Sequence, residues 1–300
     1  MLYEKSVMYK EEISMAIIKM KLQGHEKFAL REGWINKALR ILPDNPDAFI
    51  QKNATDLFGI GNNMVKSLRY WMRAFGLTIE SSTNGIRLTP IGKLIAEYDP
   101  YLERTFTLWI MHSFIAKNKG DATTWYMYFN HCDADDLEKS EINEVLLREM
   151  KKYAEGKHFS EKSLNNDVDV LLNMYSKHKE NVDPEDKNIS PFASLKLIKN
   201  IDGRYSKCHP NKKDFSEMLV LYELSLMDKW EKGVSIDSLI FDENGLANVY
   251  NLTSVMVNEM LDKLDAMGYL RVDRTAGLDM IYFSKNITST EVLEEYYKNY

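Results

Sequence analysis

The sequence predicts a mainly α-helical chain with small β-hairpins, an α+β fold, on three observations. Its 300 residues are 44% hydrophobic and 28% charged, the balance of a globular chain with room for two or three cores. The stretch Gly59 to Gly76 reads as a helix bracketed by glycines, followed by two short strands about a turn. The stretch Thr253 to Phe283 repeats that order. Three segments are expected, 1–115, 116–200 and 201–300, the outer two winged-helix-like and the middle one helical and acidic.

Residues 5–22 place Val7, Ile13, Ile17 and Ile18 among the apolar positions of an amphipathic helix. Next, His25, Glu26, Arg31 and Trp34 gather around Gly24 and Gly33. The stretch reads either as a capping loop, with Trp34 in the core and Arg31 in an ion pair, or as a set of chemical groups. Asn36 to Leu42 and Ala48 to Phe58 supply two helices. In the third, from Asn62 to Arg73, the residues Met64, Leu68 and Trp71 line up with Phe75 on one face, flanked by Val65 and Met72. The opposite face carries Asn62, Lys66, Arg69, Tyr70 and Arg73, with Asn63 beside them and no acid. After the stop at Gly76, Leu77 to Glu80 and Ile86 to Pro90 flank the turn Ser81 to Gly85 as a hairpin.

Helix, turn, helix and hairpin together predict a winged helix-turn-helix. Its third helix suits a DNA major groove, because Arg and Lys bond guanine acceptors or phosphates and Asn pairs with adenine. A surface helix with a solvated basic face gives the same pattern. Residues 1–115 carry a net charge of +3 and the remainder −9, so the N-terminal third is the part suited to phosphate.

From Asp99 to Trp125 the chain reads helical, with Leu102, Phe106, Trp109 and Ile110 on one face. Asp99 and Glu103 either hold a divalent metal between them or cap and charge the helix start. The run Asp133 to Asp136 lacks the glycine and closing glutamate of a calcium loop. His131-Cys132 and Cys208-His209 do not have zinc-site spacing and read as two buried or free thiols. Glu180 to Pro191 is the candidate linker. Beyond the Asp202-Gly203 turn, a helix over Ser216 to Trp230, another from Ser235 and a third capped by Thr253 lead to strands at Tyr269 to Val272 and Met280 to Phe283. The third helix shows Asn258, Glu259, Asp262, Lys263 and Asp265 outward, which suits a protein partner better than DNA.

Four sets of residues carry a resemblance to a known family. They are His25-Glu26-Lys27-Phe28 with Arg31, Gly33 and Trp34; Gly59 to Val65 with Arg69, Tyr70 and Trp71; Asp99 to Glu103 with Thr107, Leu108, Trp109 and His112; and the pairs Trp125-Tyr126 and Phe129-Asn130. Together they resemble domain of unknown function 4007, from about residue 22 to the C-terminus and most sharply as far as Asn130. The resemblance implies a component of DNA phosphorothioation and anti-phage defence, in which sulfur replaces a non-bridging phosphate oxygen. It is similar to the B component of Ssp-type systems, which is assigned as a DNA-nicking endonuclease. The implied partners are double-stranded DNA, a sulfotransfer enzyme of the phosphoadenosine-phosphosulfate-reductase type, a cysteine desulfurase and an ATPase.

For a nickase, His25 or Glu26 is the expected general base and Arg31 the stabiliser of the phosphorane. Asp99 and Glu103 are the expected ligands of Mg²⁺ or Mn²⁺, and His112 is a further candidate catalytic group. The alternatives are a non-catalytic recognition subunit that recruits the sulfotransfer enzyme and ATPase, and a transcription regulator. A homodimer is a further expectation. No apolar run approaches a bilayer span, the start is unlike a secretory signal and two cysteines make no disulfide framework, so a cytoplasmic protein is expected.

Overall fold

A computed structural model describes residues 19–81, 83, 85–177, 189–227, 233–277 and 279–299. The expected helix at 5–22 lies outside them up to residue 18, and the expected linker lies outside them as far as residue 188. The fold is α+β: helices with small antiparallel sheets of two or three strands.

The first helices are Trp34–Ile41, Ala54–Phe58 and Asn62–Ala74, followed by strands Thr78–Ser81 and Gly85–Leu88 and the helix Pro90–Tyr98. Three helices and a two-stranded hairpin follow one another here, with a fourth helix after the hairpin. The second helix is shorter than the pattern at Ala48 to Phe58 suggests. Residues 45–54 close instead in three-residue turns, Ala48 to Asn45, Ile50 to Asp47 and Ala54 to Gln51, and the Asn45 and Gln51 amides pair at 3.2 and 2.9 Å. Gly76 stops the third helix at φ +68°, a conformation that costs other residues and not glycine. Pro90 opens a helix rather than closing a strand. Thr89 caps that helix, its hydroxyl oxygen accepting from the Gly92 amide at 3.0 Å.

The helical stretch expected from Asp99 to Trp125 is broken twice. Residues 99–104 form a turn with Leu102 at φ 57°, and Thr105–Ala116 and Thr123–His131 are separate helices. From Phe106 to Ser113 every side chain of the first of these is buried. A helix without a wet face must be wrapped, and it is the centre of the molecule. Helices Lys139–Ala154 and Glu161–Ser176, the 3₁₀ turn Pro191–Leu195 and a sheet with Arg204–Lys207 between Leu137–Glu138 and Ile198–Ile201 complete the middle.

The last part repeats the order of helices followed by a hairpin: Glu217–Ser225, Ile236–Phe241, Leu246–Tyr250, Ser254–Ala266, then strands Leu270–Asp273 and Met280–Phe283. Thr253 caps the fourth of these helices as its sequence suggests, its hydroxyl oxygen accepting from the Met256 amide. A third strand, Val234–Ser235, joins the sheet beside Met280–Phe283; two residues are too few for a periodicity to reveal. The C-terminal helix Ser289–Asn299 returns to the N-terminal unit. There Tyr297 stacks on Tyr98 at 5.5 Å and its hydroxyl meets Thr107 Oγ1 at 2.7 Å. One buried cluster runs from Leu30 to Tyr297, so the three expected segments share a core.

Candidate functional site

On the Asn62–Ala74 helix, Val65, Leu68, Trp71 and Met72 are buried and Met64 half-buried, as the spacing predicts. Asn62, Asn63 and Lys66 are exposed. Tyr70, expected on the outward face, is buried at 4% exposure. The reason is the preceding loop: a Cβ on Gly24 would stand 2.5 Å from the Tyr70 ring, so only glycine lets the backbone lie there. The two arginines of the basic face are already paired. Arg69 grips Glu80 of the strand Thr78–Ser81 with Nε at 3.0 Å and Nη2 at 2.7 Å, a bidentate bond that holds the Glu80 carboxyl below the usual carboxylate range. Arg73 lies 3.5 Å from both Glu80 and Asp121. Lys66 is the cation of this face that remains exposed.

His25 is buried and cannot meet a substrate. Its Nε2 bonds Asp167 Oδ1 at 2.9 Å, its Nδ1 accepts from the Lys27 amide at 3.1 Å, and its ring stacks on Trp71 at 5.6 Å. Asp167 also accepts from the Gln23 amide and the Thr124 hydroxyl, both at 2.8 Å. The loop is thus clasped to two other helices, and burial removes His25 from the general-base role. Glu26 is exposed at φ 50°. Arg31 lies over the Phe28 and Trp34 rings at 5.7 and 5.4 Å, a cation–π position in place of the expected ion pair.

Asp99 is buried, and its two oxygens accept from the Glu103 and Arg104 amides at 2.8 and 3.1 Å. It folds the turn, while Glu103 points outward into a cleft of about 670 Å³. There Glu103 is joined by Glu32, Thr105, Ser190, Ser194 and Lys196. The Glu32 amide bonds Ile189 O at 3.1 Å, which ties the His25 to Trp34 stretch to the far wall. The cleft therefore unites two of the sequence-predicted regions, but through Glu32 and Glu103 rather than through His25, Asp99 and His112. Glu32 lies within the predicted stretch, whereas Lys196 is more than 90 positions from Glu103 and nothing local marks it. Among the described residues no group of three or more His, Cys, Asp or Glu could hold a metal, the two His-Cys pairs included. No described helix is long and apolar enough to cross a membrane.

His112 is a core residue. Its Nε2 donates to Val249 O at 2.7 Å, because a carbonyl can only accept, and its Nδ1 accepts from the Tyr175 hydroxyl at 2.8 Å. Burial pushes its pKa down to about 3. The unfolded chain takes up this proton near pH 6.5 and the folded one does not, so stability present above that pH is lost as the pH falls toward 3. The slope from this residue is about 1.4 kcal/mol per pH unit. In urea unfolding from pH 7 to 4, His112→Gln is expected to flatten the dependence by about one proton. An unchanged slope would mean that His112 is not held neutral.

The fold is shared with two crystal structures, one of SspB and one of magnesium ion-bound SspB. Each matches with a TM-score of 0.80 and 24% identity, covering 93% of this chain and 88% of that one. No curated protein matches the sequence. The family model described as Protein of unknown function (DUF4007) matches residues 22–297, and the chain belongs to that family.

Proposed function

We propose that this chain is the DNA-engaging component of a phosphorothioation and anti-phage defence system, and that it nicks one strand at the Glu32–Glu103 cleft. The observation that carries the reading is the likeness along 93% of the chain to a magnesium-bound SspB, together with an open cleft that contains two carboxylates. The sequence resemblance to the Ssp-type B component points the same way. Mg²⁺ is commonly held by one or two carboxylates plus water and substrate phosphate, so a two-carboxylate donor set fits an ion whose shell the DNA completes. When bound, Mg²⁺ or Mn²⁺ supplies polarisation of the phosphodiester and an activated water. Glu32 and Glu103 hold the ion, and Lys196 offsets charge on the phosphate. Asn62, Asn63 and Lys66, on the third helix of the winged unit, meet the duplex.

A second reading, a recognition subunit that does not cut, is favoured by the burial of His25, Asp99 and His112. In either case the sulfotransfer enzyme, cysteine desulfurase and ATPase are the partners, and the acidic C-terminal segment is the part of the chain suited to them. Supercoiled plasmid incubated with the purified protein, with and without Mg²⁺ or Mn²⁺, separates the readings. A nickase gives open-circular product that needs the metal and falls by at least about a hundredfold in Glu32→Gln and Glu103→Gln. Product that persists in both variants would move the chemistry elsewhere. A retarded duplex with no product under either metal would leave the recognition subunit.

A further inference from the structure

Behind the turn that presents Glu103 lies a second cleft, of about 440 Å³, which shares Thr105 with the first. It is lined by four cations from three places in the chain: Arg104, Lys212 with Lys213, and Lys263. We propose that this cleft binds a phosphate group. Its size falls within the range of about 300 to 1,000 Å³ usual for ligand sites.

Arg104 precedes the 12-residue helix Thr105–Ala116, which has no side-chain cap and no acid in its first turn. The first amides of a helix have no intrahelical acceptor and carry a partial positive charge, which favours an anion. The Arg104 guanidinium lies over the Tyr297 ring at 5.6 Å, which holds the cation at the side of the cleft. Lys213 is exposed and has no ion-pair partner among the described residues. The other two lysines are partly offset, Lys212 by Glu259 at 2.5 Å and Lys263 by Glu217 at 3.2 Å. Asp214 and Glu217 also line the cleft, so the charge available to a ligand comes chiefly from Arg104, Lys213 and the helix end. The Phe106 and Tyr296 rings, stacked at 3.6 Å, form a wall beside it.

Two sources can supply the phosphate: the backbone of a duplex that also reaches the Glu103 cleft, or a free phosphate compound. Binding itself does not depend on strand cleavage, so the test stands apart from the plasmid assay. Inorganic phosphate and pyrophosphate are titrated calorimetrically into the full chain, and a short duplex is titrated across a salt series. Lys213→Glu is the first variant, since an exposed side chain without a partner is not needed for folding; Arg104→Gln is the second.

A free-phosphate site gives a measurable affinity for phosphate or pyrophosphate that falls about tenfold in each variant. A duplex site gives no such affinity, but Lys213→Glu weakens duplex binding and lowers its salt slope by about one. Phosphate binding that both variants leave unchanged overturns the assignment. So does the absence of phosphate binding together with duplex binding indifferent to Lys213→Glu.

Discussion

Asp167→Ala is expected to destabilise the protein by about 3–5 kcal/mol, more than loss of any surface ion pair. The Asp167 carboxylate is 2% exposed and accepts from three groups, the Gln23 amide, His25 Nε2 and the Thr124 hydroxyl. Removing the acceptor leaves two buried donors, His25 Nε2 and the Thr124 hydroxyl, and the half-buried Gln23 amide without partners, and each buried one costs about 1–3 kcal/mol when no water reaches it. The cost also spreads. His25 lies flat on Trp71 and edge-on to Tyr70 and Trp125, so the loop that carries it is part of the packing of the Asn62–Ala74 helix. That loop also supplies Phe28 O to the Trp71 indole at 3.1 Å and to the Ser67 hydroxyl at 3.4 Å. Urea unfolding of the variant gives the magnitude directly. A loss under about 1 kcal/mol would mean that the clasp is already open in solution. Asp167→Asn keeps the acceptor for one donor and is expected to fall between the two.

This network shows why part of the candidate site was legible and part was not. The third helix could be read because its determinants are local: three glycines, a 3.6-residue stripe and a hairpin turn. The exposure of Asn62, Asn63 and Lys66 came with it. Tyr70 could not be placed, because what covers it is the backbone at Gly24, which no periodicity of the helix contains. His25 and His112 have the chemistry of catalytic residues, and only their partners, Asp167, Tyr175 and Val249 O, reveal them as core histidines. All three partners are distant in sequence. Asp99 was the intermediate case: its capping bonds to residues 103 and 104 are local, and the capping alternative stood in the pattern from the start. Glu80 was visible as a charge on the first hairpin strand, but its pairing with Arg69 depends on how the hairpin folds back over the helix.

That pairing gives the second large expectation. If the Asn62–Ala74 helix meets DNA, a phosphate must compete with Glu80 for Arg69 and Arg73. Glu80 is only 25% exposed and Arg69 37%, so the pair is neither free in solvent nor locked in the core. Glu80→Gln keeps the shape, removes the competing charge and releases Arg69, while Arg73 keeps Asp121 at 3.5 Å. At low salt, duplex affinity is expected to rise about tenfold and the salt slope to steepen by about one. The cost to folding stays small, since partly exposed pairs contribute about 0–1 kcal/mol. Lys66, Arg69 and Arg73 replaced together by Ala should act in the opposite direction, flattening the slope by about two to three and weakening binding by more than about a hundredfold. Fluorescence anisotropy of a labelled duplex from 50 to 200 mM salt, in wild type and both variants, measures all three. Binding that neither variant alters would show that DNA approaches another surface. Tighter binding in Glu80→Gln without the loss in the triple variant would implicate the wing alone, where repulsion by Glu80 and not capture by the helix sets the affinity.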